Sequence, residues 1–312
     1  MSIRLDGKVA VITGATGGWG GGAAVALARR GAAVVLNART QSKLDAFAAR
    51  LDAEGLQAVG IAQDIRTLAG AELLTERAVD AFGRVDILMN AVGVTSADGD
   101  ASSHASILDT SEEAWRYTID AELNAAFNCT KAAATQMVAQ GDGGAIVSVV
   151  GTIIGSAGRA PHAAAKGGLL NGIWSWSDEL REHHITVNGV RGYVRSMLTD
   201  PSFDIEQEDF VSERTTTELP TEPVEAGELI AWLASPEGAS VTGQYIGIDG
   251  PRITIWEPSL PQITVFREPQ WSAEQLAASV GPIIGRRPPR PTMTEVVKDL
   301  FSTRDSERSA RR

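Results

Sequence analysis

VAVITGATGGWGGGAAVALARR, residues 9–30, is the stretch whose reading decides the fold. Val9–Ile12 is a run of β-formers too short for a helix. Gly14, Gly18 and Gly20 then allow a tight turn in which the backbone can approach a ligand with no Cβ in the way. Ala23–Arg30 repeats small apolar residues at helical spacing. A helix that opens onto a glycine turn presents unpaired N–H groups and the positive end of its dipole, which suits a phosphate. On this stretch alone the alternative is a glycine turn that binds nothing, and the rest of the chain decides between the two.

Working outward, strand and helix patterns alternate to about Ile248. Strands are expected at Ala33–Leu36, Ala58–Ala62, Val85–Met89, Ala145–Val150, Ile185–Val190 and Tyr245–Ile248. Helices are expected at Thr40–Glu54, Thr67–Phe82, Ser111–Ala139, Ala160–Glu182 and Val224–Ala234. The third of these opens on a capping signal, Thr110 or Ser111 before Glu112 and Glu113. Such alternation predicts a doubly wound parallel sheet with helices on both faces, and ligands beyond the carboxyl ends of its strands. Two segments break the rhythm. Val94–Asp109 is small and polar. Met197–Glu222 is strongly acidic and reads equally as a lid or as a solvated excursion. From Pro251 prolines recur and the charge turns basic, with Trp256, Phe266 and Trp271 as packing residues. Residues 1–250 therefore read as one domain. Residues 251–312 read as an extension packed on it or on a neighbouring subunit, with short helices at Ser272–Val280 and Thr292–Phe301 and a loose end.

The 312 residues carry a formal net charge of −11, which argues against a nucleic-acid partner. The start lacks the apolar core of a signal peptide. No run approaches the ~18 apolar residues of a membrane span. The single cysteine, Cys129, has no partner for a disulfide and reads as a small buried hydrophobe. No spacing resembles a metal site. A cytoplasmic protein acting on a small molecule is the expectation.

Five motifs fall in register along the chain: Thr13-Gly14-x-x-x-Gly18-x-Gly20; Asn90-Ala-Val-Gly93; Lys166 at the end of His162-Ala-Ala-Ala-Lys166; Asn188-x-Val-x-Gly192; and Leu233-Ala-Ser-Pro-Glu237 with Thr242-Gly243-Gln244 before Asp249-Gly250. Together they resemble the short-chain dehydrogenase/reductase family over roughly residues 5–250. The resemblance implies a Rossmann-type α/β domain of about seven parallel strands. It also implies hydride transfer between a nicotinamide cofactor and an alcohol or ketone. Gly14, Thr16, Gly18 and Gly20 would hold the pyrophosphate, Asp64 and Ile65 would meet the adenine, and Asn90 to Gly93 would line the adenosine ribose. Val194 and Ser196 fall where the family holds the nicotinamide amide and a phosphate. Trp19 replaces a smaller aliphatic residue near the nicotinamide, and reads either as packing beneath the loop or as narrowing that pocket. After the second strand, Ala38 stands where NAD-preferring relatives place aspartate, and Arg39 follows. A guanidinium suits a 2′-phosphate, so NADP is the expected cofactor, with NAD the alternative. Family members pair through the helices matching Ser111–Ala139 and Ala160–Glu182, which implies a homodimer or homotetramer, or a hetero-oligomer with another family member.

The catalytic positions depart from the family. Lys166 is kept, but His162 stands at the tyrosine and Glu122 at the asparagine. The serine position falls at Gly151, beside Thr152, if the strand is aligned, and at Ser148 if it is shifted by three residues. His162 and Lys166, at i and i+4, share a helix face. Histidine titrates near pH 6.5 in isolation, to about half a unit, and a nearby ammonium favours its neutral, basic form. That suits alcohol oxidation or proton abstraction beside a carbonyl more than ketone reduction. If Glu122 reaches Lys166 instead, the two should pair and the effect on His162 weakens. Three readings stand: an oxidoreductase using His162 and Lys166, a silent cofactor-binding subunit supporting an active partner, and a non-redox lyase or isomerase with His162 or Glu122 as base. His104, His183 and His184 are weaker candidates.

Overall fold

The computed structural model describes residues 3–94, 105–151, 158–196, 202–206, 220–257, 273–280 and 282–283. It divides into two compact units. The first comprises Met1–Ile153 and Ala157–Trp256, and the second Ile154–Ser156 and Glu257–Arg312. Among the described residues of the second unit is one helix, Ala273–Ser279 (α8), close to the expected Ser272–Val280. Thr152, His104, Phe266, Trp271, the expected helix at 292–301 and most of the acidic segment lie outside the described residues.

The first unit alternates β1 (Val9–Thr13), α1 (Gly18–Arg29), β2 (Ala33–Ala38), α2 (Gln41–Ala53), β3 (Ala58–Ala62), α3 (Leu68–Phe82) and β4 (Ile87–Asn90). It continues through α4 (Glu112–Ile119), α5 (Ala125–Gln140), β5 (Gly144–Val149), α6 (Ala160–Glu179), β6 (Ile185–Arg191), α7 (Pro223–Leu233), β7 (Tyr245–Asp249) and β8 (Arg252–Trp256). The strands form one sheet in the order β3-β2-β1-β4-β5-β6-β7-β8. β1 to β7 are parallel, as the alternation predicts. Successive residues of a strand face opposite sides, so β1 feeds two cores. Ala10 and Ile12 pack with Leu27, Leu44, Phe47 and Ile230 of α1, α2 and α7. Val9 and Val11 pack with Leu74, Met137, Leu169 and Ile173 of α3, α5 and α6.

Two differences from the sequence expectation bear on the site. The helix expected over Ser111–Ala139 is interrupted by a π-helical turn, Asp120–Asn124, between α4 and α5. The sheet also has an eighth strand. After Asp249, the chain turns through Gly250 (φ 59°) and Pro251 and returns antiparallel as β8, with Trp256 opposite Tyr245.

The start of β4 is tied to β1 by Asp86, whose side chain is 3% exposed. Its carboxylate accepts from Val9 N–H at 3.0 Å, Lys8 Nζ at 3.1 Å, and Arg84 Nε and Nη2 at 2.7 and 2.6 Å. Burial pushes this carboxyl up, but the Arg84 guanidinium, the Val9 N–H and Lys8 outweigh it and hold it below the usual range. A depressed native pKa stabilises the fold above the unfolded carboxyl's value of about 4 and ceases to do so as the pH falls through the native value. Asp86→Asn should therefore cost about 2 kcal/mol in urea unfolding at pH 7, and the gap to the wild type should narrow as the pH drops below about 4. A gap independent of pH would assign the loss to packing rather than charge.

Candidate active site

The glycine turn lies where β1 meets α1. Gly14 adopts φ 66°, and a Cβ there would meet the Ala91 carbonyl at 2.7 Å. A Cβ on Gly18 would meet the Arg195 carbonyl at 2.0 Å, and one on Gly20 the Gly14 carbonyl at 2.3 Å. These positions have no room for a side chain, so the loop presents backbone. Thr16 is half-buried in the turn, which Gly17 N–H closes onto the Gly14 carbonyl at 3.0 Å. Val194 is buried and bridges to Thr221, with Ser196 two residues on, beside Gly18. Trp19 is half-buried, packed against the core, and its ring would touch a Cβ on Gly192. Of the two readings of Trp19, the contacts described are those of packing.

Thr13, Asn90 and Val149, at the carboxyl ends of β1, β4 and β5, line a cleft together with Ile65, Val92, Glu122 and Lys166. Asn90 is buried. Its Nδ2 donates to Thr130 Oγ1 and Ser148 Oγ at 3.2 and 3.1 Å, while its Oδ1 is buried without a hydrogen-bond partner. An unpaired buried acceptor is costly, and one at the edge of a cleft suits a ligand donor. The glycine turn, this orphaned oxygen and Lys166 together fit a dinucleotide.

α6 begins at Ala160 with Pro161 in its first turn, where the missing N–H costs nothing. This places His162 on the first turn of the helix and Lys166, which is buried, one turn further along. Glu122 comes from the π-helical turn and is 1% exposed; His162 is 18% exposed. His162 Nδ1 and Glu122 Oε2 are 2.8 Å apart, and Glu122 Oε1 accepts from Val94 N–H at 2.9 Å. Glu122 thus reaches His162, and Lys166 donates instead to the carbonyls of Val92 and Val149 at 3.2 and 3.1 Å. Burial pushes the Glu122 carboxyl up, but the Lys166 charge, the His162 bond and the Val94 N–H hold it below the ordinary value. Burial lowers the pKa of Lys166, against the pull of Glu122. An ionised carboxylate only accepts, so in the neutral ring the proton sits on Nδ1.

Ser148 does not join this group. It is fully buried within β5, in register with Asn90 and bonded to it. The residue beside His162 is Gly151, where a Cβ would lie 3.7 Å from Nε2. Gly151 adopts φ 68°, and its carbonyl accepts from the hydroxyl of Tyr245. Of the serine-position candidates, Ser148 thus lies inside the sheet and Gly151 lies beside the His162 ring.

At Ile65, expected from the resemblance to meet the adenine, Asn128 Nδ2 donates to the main-chain carbonyl at 3.3 Å. The Asp64 carboxylate is engaged by Arg66, with Nη2 at 2.6 Å, which lowers its pKa. Arg39 Nη1 donates to the Tyr117 hydroxyl at 3.2 Å, and Arg66 lies over the same ring at 5.8 Å. Arg66 and Tyr117 were not expected here. A cation directly after Ile65 was the available signal for the first; the second comes from α4, distant in sequence. Gly93 is exposed beside Glu122. Among the described residues no group of His, Cys, Asp and Glu could hold a metal, and no helix is long and apolar enough to cross a membrane.

Comparison with known proteins gives relatives across most of the chain. A family model described as short chain dehydrogenase matches residues 8–206. The 3-oxoacyl-(acyl-carrier-protein) reductase FabG of Thermotoga maritima is 32% identical over 252 residues, covering 80% of this chain and 98% of the relative. Oxidoreductase UcpA of Salmonella typhimurium is 31% identical over 258 residues, covering 79% and 95%. A crystal structure of a short chain dehydrogenase from Mycobacterium avium superposes with a TM-score of 0.77 at 25% identity, covering 92% of this chain and 98% of that one.

Proposed function

Because this chain belongs to the short chain dehydrogenase family, we propose that it is an NADP(H)-dependent oxidoreductase acting on an alcohol or its ketone, with His162 and Lys166 in place of the usual tyrosine and lysine. The observation that carries this reading is that Lys166, Glu122 and Asn90 with its orphaned oxygen line one cleft, while His162, one helical turn before Lys166, is bonded to that same Glu122. When bound, the nicotinamide accepts or supplies a hydride at the substrate carbon.

The chain's own residues do the rest. The N–H groups of the Gly14–Gly20 turn and the start of α1 receive the pyrophosphate. Lys166 has three N–H bonds. Two are directed at the Val92 and Val149 carbonyls, which fixes the ammonium, and the third serves a ribose hydroxyl. His162 takes the proton from the substrate hydroxyl. A ring that offers its Nδ1 proton to Glu122 can accept a proton at Nε2, which supports alcohol oxidation as the direction. Arg39 selects the 2′-phosphate. Its hydrogen bond to Tyr117 supports this by holding the guanidinium at the end of β2. The exposed apolar residues Trp115, Phe127 and Val138 on α4 and α5 support a homo-oligomer.

The test is a panel of alcohols with NADP⁺ and NAD⁺, followed by absorbance at 340 nm. Turnover with neither cofactor on any alcohol or ketone would remove the redox reading. Arg39→Ala should lower the kcat/KM preference for NADP⁺ over NAD⁺ by about tenfold or more, since it removes a charge-assisted phosphate contact. An unchanged ratio would return Arg39 to the role of a solvated loop residue.

A further inference from the structure

We propose that Glu122 is the positioning residue that makes His162 a base, by holding the imidazole with its proton on Nδ1 and its lone pair on Nε2, turned toward Gly151. The proposal rests on the reading of His162 as proton acceptor. Its geometry is specific. Glu122 is buried on the π-helical turn and divides its two oxygens, Oε1 to the Val94 N–H and Oε2 to His162 Nδ1. Nε2 lies 3.7 Å from where a Cβ on Gly151 would sit. The substrate hydroxyl therefore approaches over a residue with no side chain, and Nε2 is the ring atom it meets.

The step balances as follows. The substrate O–H bond breaks and its proton forms an N–H bond at Nε2. The O–H electron pair stays on oxygen and becomes the second carbonyl bond as the carbinol hydrogen leaves, with its electron pair, for the oxidised nicotinamide. The imidazolium that results stands against the Glu122 carboxylate, which stays ionised and offsets the new charge. The same division of labour joins carboxylate, imidazole and hydroxyl in hydrolytic triads, where the carboxylate fixes the tautomer.

Glutamine at 122 would invert the arrangement. Its one acceptor oxygen is taken by the Val94 N–H, and its amide NH₂ then faces Nδ1 and donates to it. The proton of the ring must move to Nε2, and the base is lost. The test is the tautomer itself, read from ¹⁵N imidazole correlation spectra of the full chain with labelled histidine. The chain has four histidines, so the triple variant H104Q/H183Q/H184Q leaves His162 as the sole signal. The expected result is an Nδ1–H tautomer in that background, an Nε2–H tautomer in Glu122→Gln, and alcohol oxidation slowed about 10²-fold or more in kcat with cofactor affinity unchanged.

A background spectrum with the proton on Nε2 overturns the proposal whatever the turnover, and needs no variant at 122 to fold. An inverted tautomer with unchanged kcat overturns the positioning role. Absence of oxidation by the wild type, with the tautomer still inverted by Glu122→Gln, overturns the functional reading alone and upholds the hold of Glu122 on the ring.

Discussion

Replacement of His162 by alanine is expected to slow alcohol oxidation by about 10²–10⁴-fold, the range that a positioned proton-transfer group contributes. Binding of the cofactor should change little. In the proposed reading the nucleotide rests on the Gly14–Gly20 turn, on Arg39 and on Lys166, whereas His162 is bonded to Glu122 and lies beside Gly151. The loss should fall mainly on kcat, because the proton moves only as the reaction proceeds. Removing the ring deprives the buried Glu122 carboxylate of one partner, but the Val94 N–H and the Lys166 charge remain. A stability loss of about 1–2 kcal/mol is expected, too small to unfold the domain. Turnover at 340 nm, NADPH titration and a melting curve on one preparation separate these effects. Full turnover in His162→Ala would place the proton transfer elsewhere.

The second large effect is structural. Gly22→Ala should destabilise the fold by about 3 kcal/mol or more, at the upper end of overpacking losses, and weaken nucleotide binding with it. α1 and α7 cross backbone against backbone. A Cβ on Gly22 would stand 1.8 Å from the Pro223 carbonyl, and one on Gly227 would stand 2.2 Å from the Gly22 carbonyl. No rotamer change relieves a clash between main-chain atoms, so α1 must move off α7. Nearly all of α1 is buried, and its first turn belongs to the glycine turn that would receive the phosphates in the proposed reading. The gain in helix propensity from glycine to alanine, about 1 kcal/mol, does not offset this. Gly167→Ala is the control: its Cβ meets nothing within 4 Å, and the variant should be neutral or slightly more stable in urea. Equal behaviour of the two variants would mean that the α1–α7 crossing is not as close as described.

Much of the fold was legible because parallel strands buried on both faces read as short apolar runs, and glycine punctuates them. The parallel arrangement followed from that alternation, and the number of about seven strands from the resemblance. β8 was missed although its signal was present. Asp249-Gly250 before alternating Ile253 and Ile255 is a hairpin pattern, but Pro251 and the change of composition after it suggested the end of the domain. The π-helical turn left no trace at all. One extra residue in a helical turn does not disturb the apolar periodicity around Ala121, Ala125 and Ala126 enough to be read.

The site was partly legible. His162 and Lys166 share a helix face by spacing alone, and motif counting put Glu122 near them. Whether Glu122 would take His162 or Lys166 depended on side-chain reach across two elements, which spacing does not encode. The sequence left Ser148, Gly151 and Thr152 open, and the pairing of Asn90 with Ser148 shows only that Ser148 lies within the sheet. Arg39 and Arg66 both meet Tyr117 through the approach of α4 to the ends of β2 and β3.

The neighbours that give the glycine turn its shape come from far along the chain: Ala91 beside Gly14, Arg195 beside Gly18, Pro223 beside Gly22. During synthesis the first thirty or so residues leave the ribosome complete in sequence but without the walls that form them into a cradle, and the apolar flank of α1 has nothing to lie against until residue 223 and beyond have followed. In the proposed reading, nucleotide binding is thus a late event in the life of the nascent polypeptide. Cofactor capture reports that the carboxyl-terminal third has arrived and docked, and a chain truncated before α7 would emerge with its nucleotide motif intact and no capacity to use it.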